Sequence, residues 1–480
     1  MFWKIMSNSK SKKTNMFGFT YDIVDQKHFF DPDFKYCALL WSHLSNEPGG
    51  TVRTCCIGKE RIKQNDGTDF NLGEHSMTKI LTSDFMRELR NRIRLGEDIG
   101  NCETCWIDER NGKESKRQQY NDYYKQWYGH DAINWQEEPT RVIDVQLIFD
   151  NTCNLKCRSC NANYSSKWRE EAVDRNIPFW ETTAKIDMND IDRSAFWKTM
   201  DEWTHDVMRL EIMGGEPFYM KEFKKFVDYL IDTGRSQKIA LTLSTNGTIA
   251  DKEFLDKMAK NFKDIAFSVS IDGIGDQFTY LRHPGDWGTV KENLDYYYEL
   301  HNSQFPVFVQ ITHTVSALNI LYLPEFHEYF KEHYPNFKIW NNAVHFPKWI
   351  SAAVLPKSAK RKITDKLLRY EWMAKYKNEA NALVAFMNSS LYENGNSVVE
   401  NLRYKFTEEK LKFFDERSAQ KKWEVFKSQI VGGDIYREEK FYQVFPELYE
   451  LIKHEFDYEQ EYETVSTAGF LPVSQGEYSN

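Results

Sequence analysis

Apolar residues gather in short runs with longer, periodic stretches between them. Val142, Ile143, Val145, Leu147, Ile148 and Phe149 form the first such run. A run of this length reads as a buried strand. Similar runs recur at 207–213, 239–243, 265–271, 305–311 and, more weakly, 337–340. The intervals have helical period. Phe223, Phe226, Val227, Leu230 and Ile231 mark one helix face, with Gly234 as a stop. Phe254, Leu255, Met258, Ala259 and Phe262 mark another, with Asp251 as N-cap. The stretches 286–301 and 323–333 also read as helices. This alternation predicts an α/β fold of parallel strands joined by right-handed crossovers, in a barrel-like or an open sheet. Both arrangements put chemistry at the C-terminal ends of the strands.

Outside this region the pattern changes. Residues 115–140 read as a helix and then a linker. After Pro356 the chain is mostly helical, charged and aromatic to about residue 455, and from Glu461 it turns to Ser, Thr, Gly and Gln. The organisation expected is a flexible start (1–30), a Cys-rich module (31–135), a core (136–350), a helical extension (351–460) and a disordered tail (461–480).

The chain has 480 residues and a net charge of −9 with no long basic block, so composition gives nucleic-acid binding no support. No run of about 18 apolar residues predicts a transmembrane helix. The first residues lack the apolar stretch of a secretory signal. A cytoplasmic location is therefore expected. In a reducing compartment the eight cysteines are better suited to metal binding or catalysis than to disulfides.

The cysteines are not scattered. Five precede residue 110, three lie together, and the chain has none after Cys160. The three follow the first predicted strand as Cys153, Cys157 and Cys160, a CxxxCxxC spacing. Random placement of eight cysteines in 480 residues gives about 0.002 such matches. Three thiolates on one tight loop suit three irons of a cubane cluster, leaving one iron open. Structural zinc, which wants four closed ligands, fits a trio poorly.

With the trio come further motifs, each at a predicted strand end: Gly214-Gly215-Glu216-Pro217, Ser244-Thr245-Asn246-Gly247 and Ser270-Ile271-Asp272-Gly273, followed by Arg282. In this order they resemble the radical S-adenosylmethionine (SAM) superfamily. The resemblance implies a partial (β/α)6 TIM-like barrel, a [4Fe-4S] cluster with an open iron on the cysteine trio, and SAM bound beside it. The GGEP-like segment would hold the amino group of SAM. Ser244, Asn246, Ser270 and Asp272 would face its ribose and carboxylate, and Arg282 would pair with the carboxylate. Ser159 departs from the aromatic residue many members carry before the last cysteine. An apolar residue near Val315 is then expected over the adenine.

Cys37, Cys55, Cys56, Cys102 and Cys105, with Asp108-Glu109 and Ser115-Lys116-Arg117, resemble the auxiliary-cluster module called twitch, a half-size relative of the SPASM domain. It usually follows the barrel; here it precedes it. The resemblance implies a second iron–sulfur cluster on Cys37, Cys102, Cys105 and one of the adjacent pair. Structural zinc is the alternative for these cysteines. Asp415-Glu-Arg417 and Phe445-Pro446-Glu447-Leu448 are similar to the same branch but carry no assigned chemistry.

The function implied is reductive cleavage of SAM to a 5′-deoxyadenosyl radical that abstracts hydrogen from a substrate, with a peptide or protein side chain favoured by analogy. A reducing partner such as flavodoxin or ferredoxin would supply the electron. The alternative is a non-catalytic iron–sulfur or zinc scaffold that retains the site.

Overall fold

The computed structural model of the chain describes residues 12–14, 20–22, 35–110, 114–128, 137–175, 177, 194–345, 347–369, 377–388 and 408–468. Strands β1 (Lys12–Thr14) and β2 (Thr20–Asp22) form a short antiparallel ladder. Apart from that ladder, the expected flexible start falls outside the described residues.

The core is one eight-stranded sheet. Its strands are β3 (His43–Asn46), β4 (Val52–Arg53), β5 (Asp144–Ile148), β6 (Arg209–Met213), β7 (Ala240–Thr245), β8 (Asp264–Ser270), β9 (Val307–Val315) and β10 (Lys338–Ala343). The order across the sheet is β10-β9-β8-β7-β6-β5-β3-β4. All pairs are parallel except β3–β4. Strands β5 to β10 are the six apolar runs of the sequence, laid side by side in chain order. The inner ones alternate apolar and polar residues, as in Arg209-Leu-Glu-Ile-Met213 and Ala240-Leu-Thr-Leu-Ser-Thr245, and their polar positions are buried or half-buried as well, because a parallel sheet is covered on both faces. Edge strand β10 instead alternates exposed and half-buried residues.

Helices follow the strands where the periodicity placed them. Lys221–Asp232 buries Phe223, Phe226, Val227 and Leu230, and Gly234 follows with a left-handed φ of 69°. Lys252–Asn261 is capped by Asp251, whose side chain accepts from the Phe254 N–H at 3.2 Å. Trp287–His301 and Leu323–His333 cover the two remaining predicted stretches.

The sheet is wider than six strands. The hairpin β3–β4 of the Cys-rich segment adds to it, with β3 running parallel to β5. Accordingly, one hydrophobic core contains both Leu44, Val52 and Ile62 of that segment and Val145, Leu210 and Leu241 of the central strands. A second core is built from the C-terminal helices. Phe426, Ile430, Phe441 and Phe445 pack there against Val315, Leu318 and Leu321 beyond β9.

The expectation of disorder from residue 461 is corrected over its first part: a helix runs Tyr458–Ala468. Its polar residues are compatible with a helix because Val465 and Tyr458 are buried and the Thr464 and Thr467 hydroxyls donate to carbonyls four residues back. Residues 469–480 lie outside the described residues.

Candidate functional site

Each motif of the central region falls at the C-terminal end of its strand. The cysteine loop follows β5, Gly214-Gly215 follows β6, Ser244-Thr245-Asn246 ends β7, and Ser270 ends β8. A cavity of about 740 Å³ opens above these ends. Cys153, Cys157 and Cys160 line it, as do Gly214, Gly215, Ser244, Asn246, Ser270 and Arg282. The topology therefore brings together residues drawn from four separate strand ends.

The cysteine loop is held from several sides. Cys160 closes a turn through its N–H on the Cys157 carbonyl at 3.0 Å. The Cys153 N–H donates to Ser166 Oγ at 3.1 Å, and Trp168 Nε1 donates to the Cys157 carbonyl at 3.0 Å. Ser165 caps the helix Ser166–Asp174 that follows, accepting from the Trp168 N–H and donating to the Leu155 carbonyl at 2.5 Å. From the far side the Lys156 and Arg158 N–H groups reach the His283 and Leu281 carbonyls at 2.7 and 2.8 Å.

Arg158, inside the motif, turns away from the cavity into the C-terminal region. Its guanidinium bonds Asp434 and Glu439, both at 2.6 Å, and stacks 3.7 Å from the Tyr280 ring centroid. Asp434 is fully buried and also accepts from the Tyr280 and Tyr458 hydroxyls and the Phe441 N–H. Nearby, Glu171 takes Arg175 at 2.7 Å and Arg437 at 2.9 Å. These C-terminal partners were not anticipated from the sequence. Acidic residues in a long charged helix read as a solvated face.

The Gly214-Gly215 pair, on the cavity wall, also has a local structural role. Both residues have positive φ, 77° and 48°. A Cβ on Gly214 would run into the Ile148 side chain, and one on Gly215 into the Thr152 carbonyl. The Glu216 N–H donates to that same carbonyl at 2.9 Å. The glycines thus let the β6 turn pack against the start of the cysteine loop.

Glu216 is fully buried beneath the cavity wall rather than on it. Its carboxylate accepts from the Phe218 N–H (3.2 Å), the Thr245 hydroxyl (2.9 Å) and the Asn246 N–H (2.6 Å). Burial outweighs these donors and pushes its pKa up to about 7. A cation beside it would answer the remaining desolvation. Pro217 begins a short 3-10 turn and is buried, off the cavity. Asp272 is also off the wall: it accepts from the Thr314 N–H at 2.8 Å and pairs with Arg282 at 2.9 Å. Arg282 approaches Cys157 Sγ at 3.8 Å, and its buried Nε has no partner among the described residues. Val315 is packed in the second core and does not line the cavity. The sequence reading also overlooked Asn154, which accepts from Asn246 Nδ2 at 2.9 Å and donates to Thr248 at 2.8 Å, bridging cysteine loop and β7 turn.

The five earlier cysteines divide. Cys55 follows β4, Cys102 closes the 3-10 turn Gly100–Cys102, and Cys105 sits in the first turn of the helix Glu103–Arg110. Burial pushes the Cys37 thiol up to about 12, with Cys105 and Cys55 adding to the shift. Cys102 is raised by burial and then by Cys37, Cys55 and Cys105. Burial raises Cys105 to about 11. These four thiols lie within each other's fields. Cys56 is exposed, lines the cavity and accepts from Lys116 Nζ at 2.8 Å. Arg117 clamps Glu109 through two bonds of 2.9 and 2.7 Å and donates to the Tyr36 carbonyl beside Cys37.

Among the described residues, no three His, Cys, Asp or Glu side chains stand close enough to hold a single metal ion. An iron–sulfur cubane asks for a different arrangement, with each thiolate on its own iron. Burial raises all three thiols of the 153–160 loop, Cys160 to about 12. A bound metal centre reverses that preference, since a coordinating thiol is deprotonated.

Residues 147–334 match the family model of the Radical SAM superfamily. That stretch, under half of the chain, runs from the end of β5 to just beyond the helix after β9. No curated protein matches the chain. The solved structure of native anSMEcpe with bound AdoMet is 20% identical; the match covers 49% of this chain and 61% of that one, with a TM-score of 0.33. Streptococcus suis SuiB bound to S-adenosylmethionine is 13% identical, with 66% and 65% covered and a TM-score of 0.29. The chain therefore spans under two thirds of each.

Proposed function

We propose that this chain is a radical SAM enzyme whose cluster is carried by Cys153, Cys157 and Cys160. The observation that carries the reading is that the three thiols line one cavity with Gly214, Gly215, Ser244, Asn246, Ser270 and Arg282. With a [4Fe-4S] cluster and SAM bound, the chemistry supplied is reductive cleavage of SAM to a 5′-deoxyadenosyl radical that takes hydrogen from a substrate. The chain's own residues bind, orient and exclude water. The backbone at Gly214-Gly215 and the buried Glu216 answer the ammonium of SAM. Ser244, Asn246 and Ser270 offer small polar groups to its ribose. Arg282, held by Asp272, offers its free Nε toward the carboxylate.

The sequential order of β5 to β10 supports a partial (β/α)6 barrel as the core, preceded by the Cys-rich module and followed by the helical extension. On the reading adopted, the module holds a closed auxiliary cluster on Cys37, Cys55, Cys102 and Cys105, and Cys56 is not a ligand. Support comes from the mutual influence of those four thiols and the exposure of the fifth. The substrate favoured is a peptide or protein side chain, the electron donor a flavodoxin or ferredoxin, and the compartment the cytoplasm. Among the described residues no helix is long and apolar enough to cross a membrane.

The test is anaerobic reconstitution with iron and sulfide, then dithionite and SAM. Formation of 5′-deoxyadenosine and methionine supports the proposal. A protein that binds its clusters and SAM but yields neither is a scaffold.

A further inference from the structure

The cavity does not end at the SAM motifs. It runs across the ends of six adjacent strands, from Ser270 on β8 to Arg53 on β4. Five inter-strand steps span about 24 Å. The far end is built by the Cys-rich module, where Ser45 and Asn46 of β3 stand beside Gln146 and Ile148 of β5.

Four charged side chains line the cavity: Glu47, Arg53, Arg61 and Arg282. Arg282 is answered by Asp272. The two module guanidiniums share one carboxylate, Glu47, with Arg53 at 2.6 Å and Arg61 at 2.7 Å. Arg61 also reaches Asp69 at 3.4 Å, but Asp69 is taken by Lys63 as well. Arg53 gives one nitrogen to the Gly58 carbonyl at 2.7 Å, while its buried Nε has no partner among the described residues. Lys116 on Cys56 adds a further cation at the same end. Glu211 of β6 acts on Lys116, so Arg53, Arg61 and Lys116 outnumber the carboxylates Glu47 and Glu211 by one at this end, within low-dielectric walls that strengthen the field.

We propose that the module end of the cavity is the substrate subsite, and that it takes a carboxylate-bearing group of the substrate at the Arg53–Arg61 pair that Glu47 bridges. A guanidinium pair with an unused N–H matches the planar geometry of a carboxylate. The inference rests on the radical SAM reading for the word substrate; the anion preference itself does not depend on turnover.

Cys56 reports on that end without knowledge of the substrate. On the anaerobically reconstituted full chain, alkylation of Cys56 by iodoacetate and by iodoacetamide is followed by peptide mass spectrometry. Thiolate population cancels in the ratio of the two rates. The ratio at Cys56 should exceed that of the unfolded chain by about tenfold and shrink with added salt. It should fall in Arg53→Gln and in Arg61→Gln and be retained in Arg53→Lys. A ratio equal to that of the unfolded chain overturns the proposal. So does a ratio unchanged in both glutamine variants, or a Cys56 inert to both reagents. Loss of SAM cleavage with the ratio intact would instead count against the radical SAM reading alone.

Discussion

The two cysteine groups are fixed in opposite ways. The 153–160 loop depends on residues far along the chain: Arg158 is locked by Asp434 and Glu439, in a helix and turn nearly 280 positions later. The Cys-rich module is tied by contacts inside its own segment. Asn101 donates to Thr54 at 2.8 Å, the Lys59 N–H reaches the Asn101 carbonyl, and Glu109, Ser115 and Arg117 close on one another. One site is a junction between the loop after β5 and the C-terminal helices. The other is a local unit joined to the sheet through β3. The chemistry that most needs an exact loop shape is thus braced by the part of the chain that carries no recognised motif.

The comparison predicts unequal sensitivity to mutation. Asp434→Ala leaves the buried Arg158 guanidinium with Glu439 alone and deprives the Tyr280 and Tyr458 hydroxyls and the Phe441 N–H of their acceptor, and should cost about 3–5 kcal/mol in chemical denaturation. The cost should come with loss of iron from the 153–160 loop and not from the module. Equal iron loss from both groups would break the comparison. Gly215→Val forces a Cβ onto the Thr152 carbonyl at positive φ and should cost about 1–3 kcal/mol, with weakened SAM binding measured by calorimetry. Unchanged SAM affinity would remove the β6 turn from the site.

A third prediction concerns how the module joins the sheet. Asp144 on β5 bonds His43 of β3 at 3.0 Å and Arg209 of β6 at 3.0 Å. Burial alone would raise its pKa, but Arg209 and His43 overcome it and bring it down to about 2. A depressed carboxylate pKa stabilises the fold above the unfolded value of about 3.9. That stabilisation, of order 2 kcal/mol, is lost as pH falls from about 4 through 2. Asp144→Asn should flatten stability across that window; a variant with the same acid transition would contradict the pairing. The smallest effect is expected inside the module. Thr54→Val removes one buried hydrogen bond and should cost about 1 kcal/mol without altering the 153–160 loop.

Much of this was legible in the sequence, for identifiable reasons. Buried parallel strands are short apolar-rich runs, so β5 to β9 were found within a few residues, and the cysteine spacing pointed to the loop after β5 that lines the cavity. What escaped was long-range. Strand β3 is four residues, His43-Leu-Ser-Asn46, with only one apolar member, and nothing local says that it pairs with β5 a hundred positions on. Nothing local says either that the Glu216 carboxylate is held by the β7 turn through Thr245 and Asn246. The cationic end of the cavity, drawn from Glu47, Arg53 and Arg61, has no motif, because its residues meet only when the hairpin joins the sheet.

The most direct test replaces Cys153, Cys157 and Cys160 together by Ala and compares the variant with the parent chain after anaerobic reconstitution. The account predicts that about half the iron remains with equimolar sulfide, that the protein stays brown, and that no 5′-deoxyadenosine forms from SAM and dithionite. Persistent SAM cleavage in the triple variant would contradict the placement of the catalytic cluster.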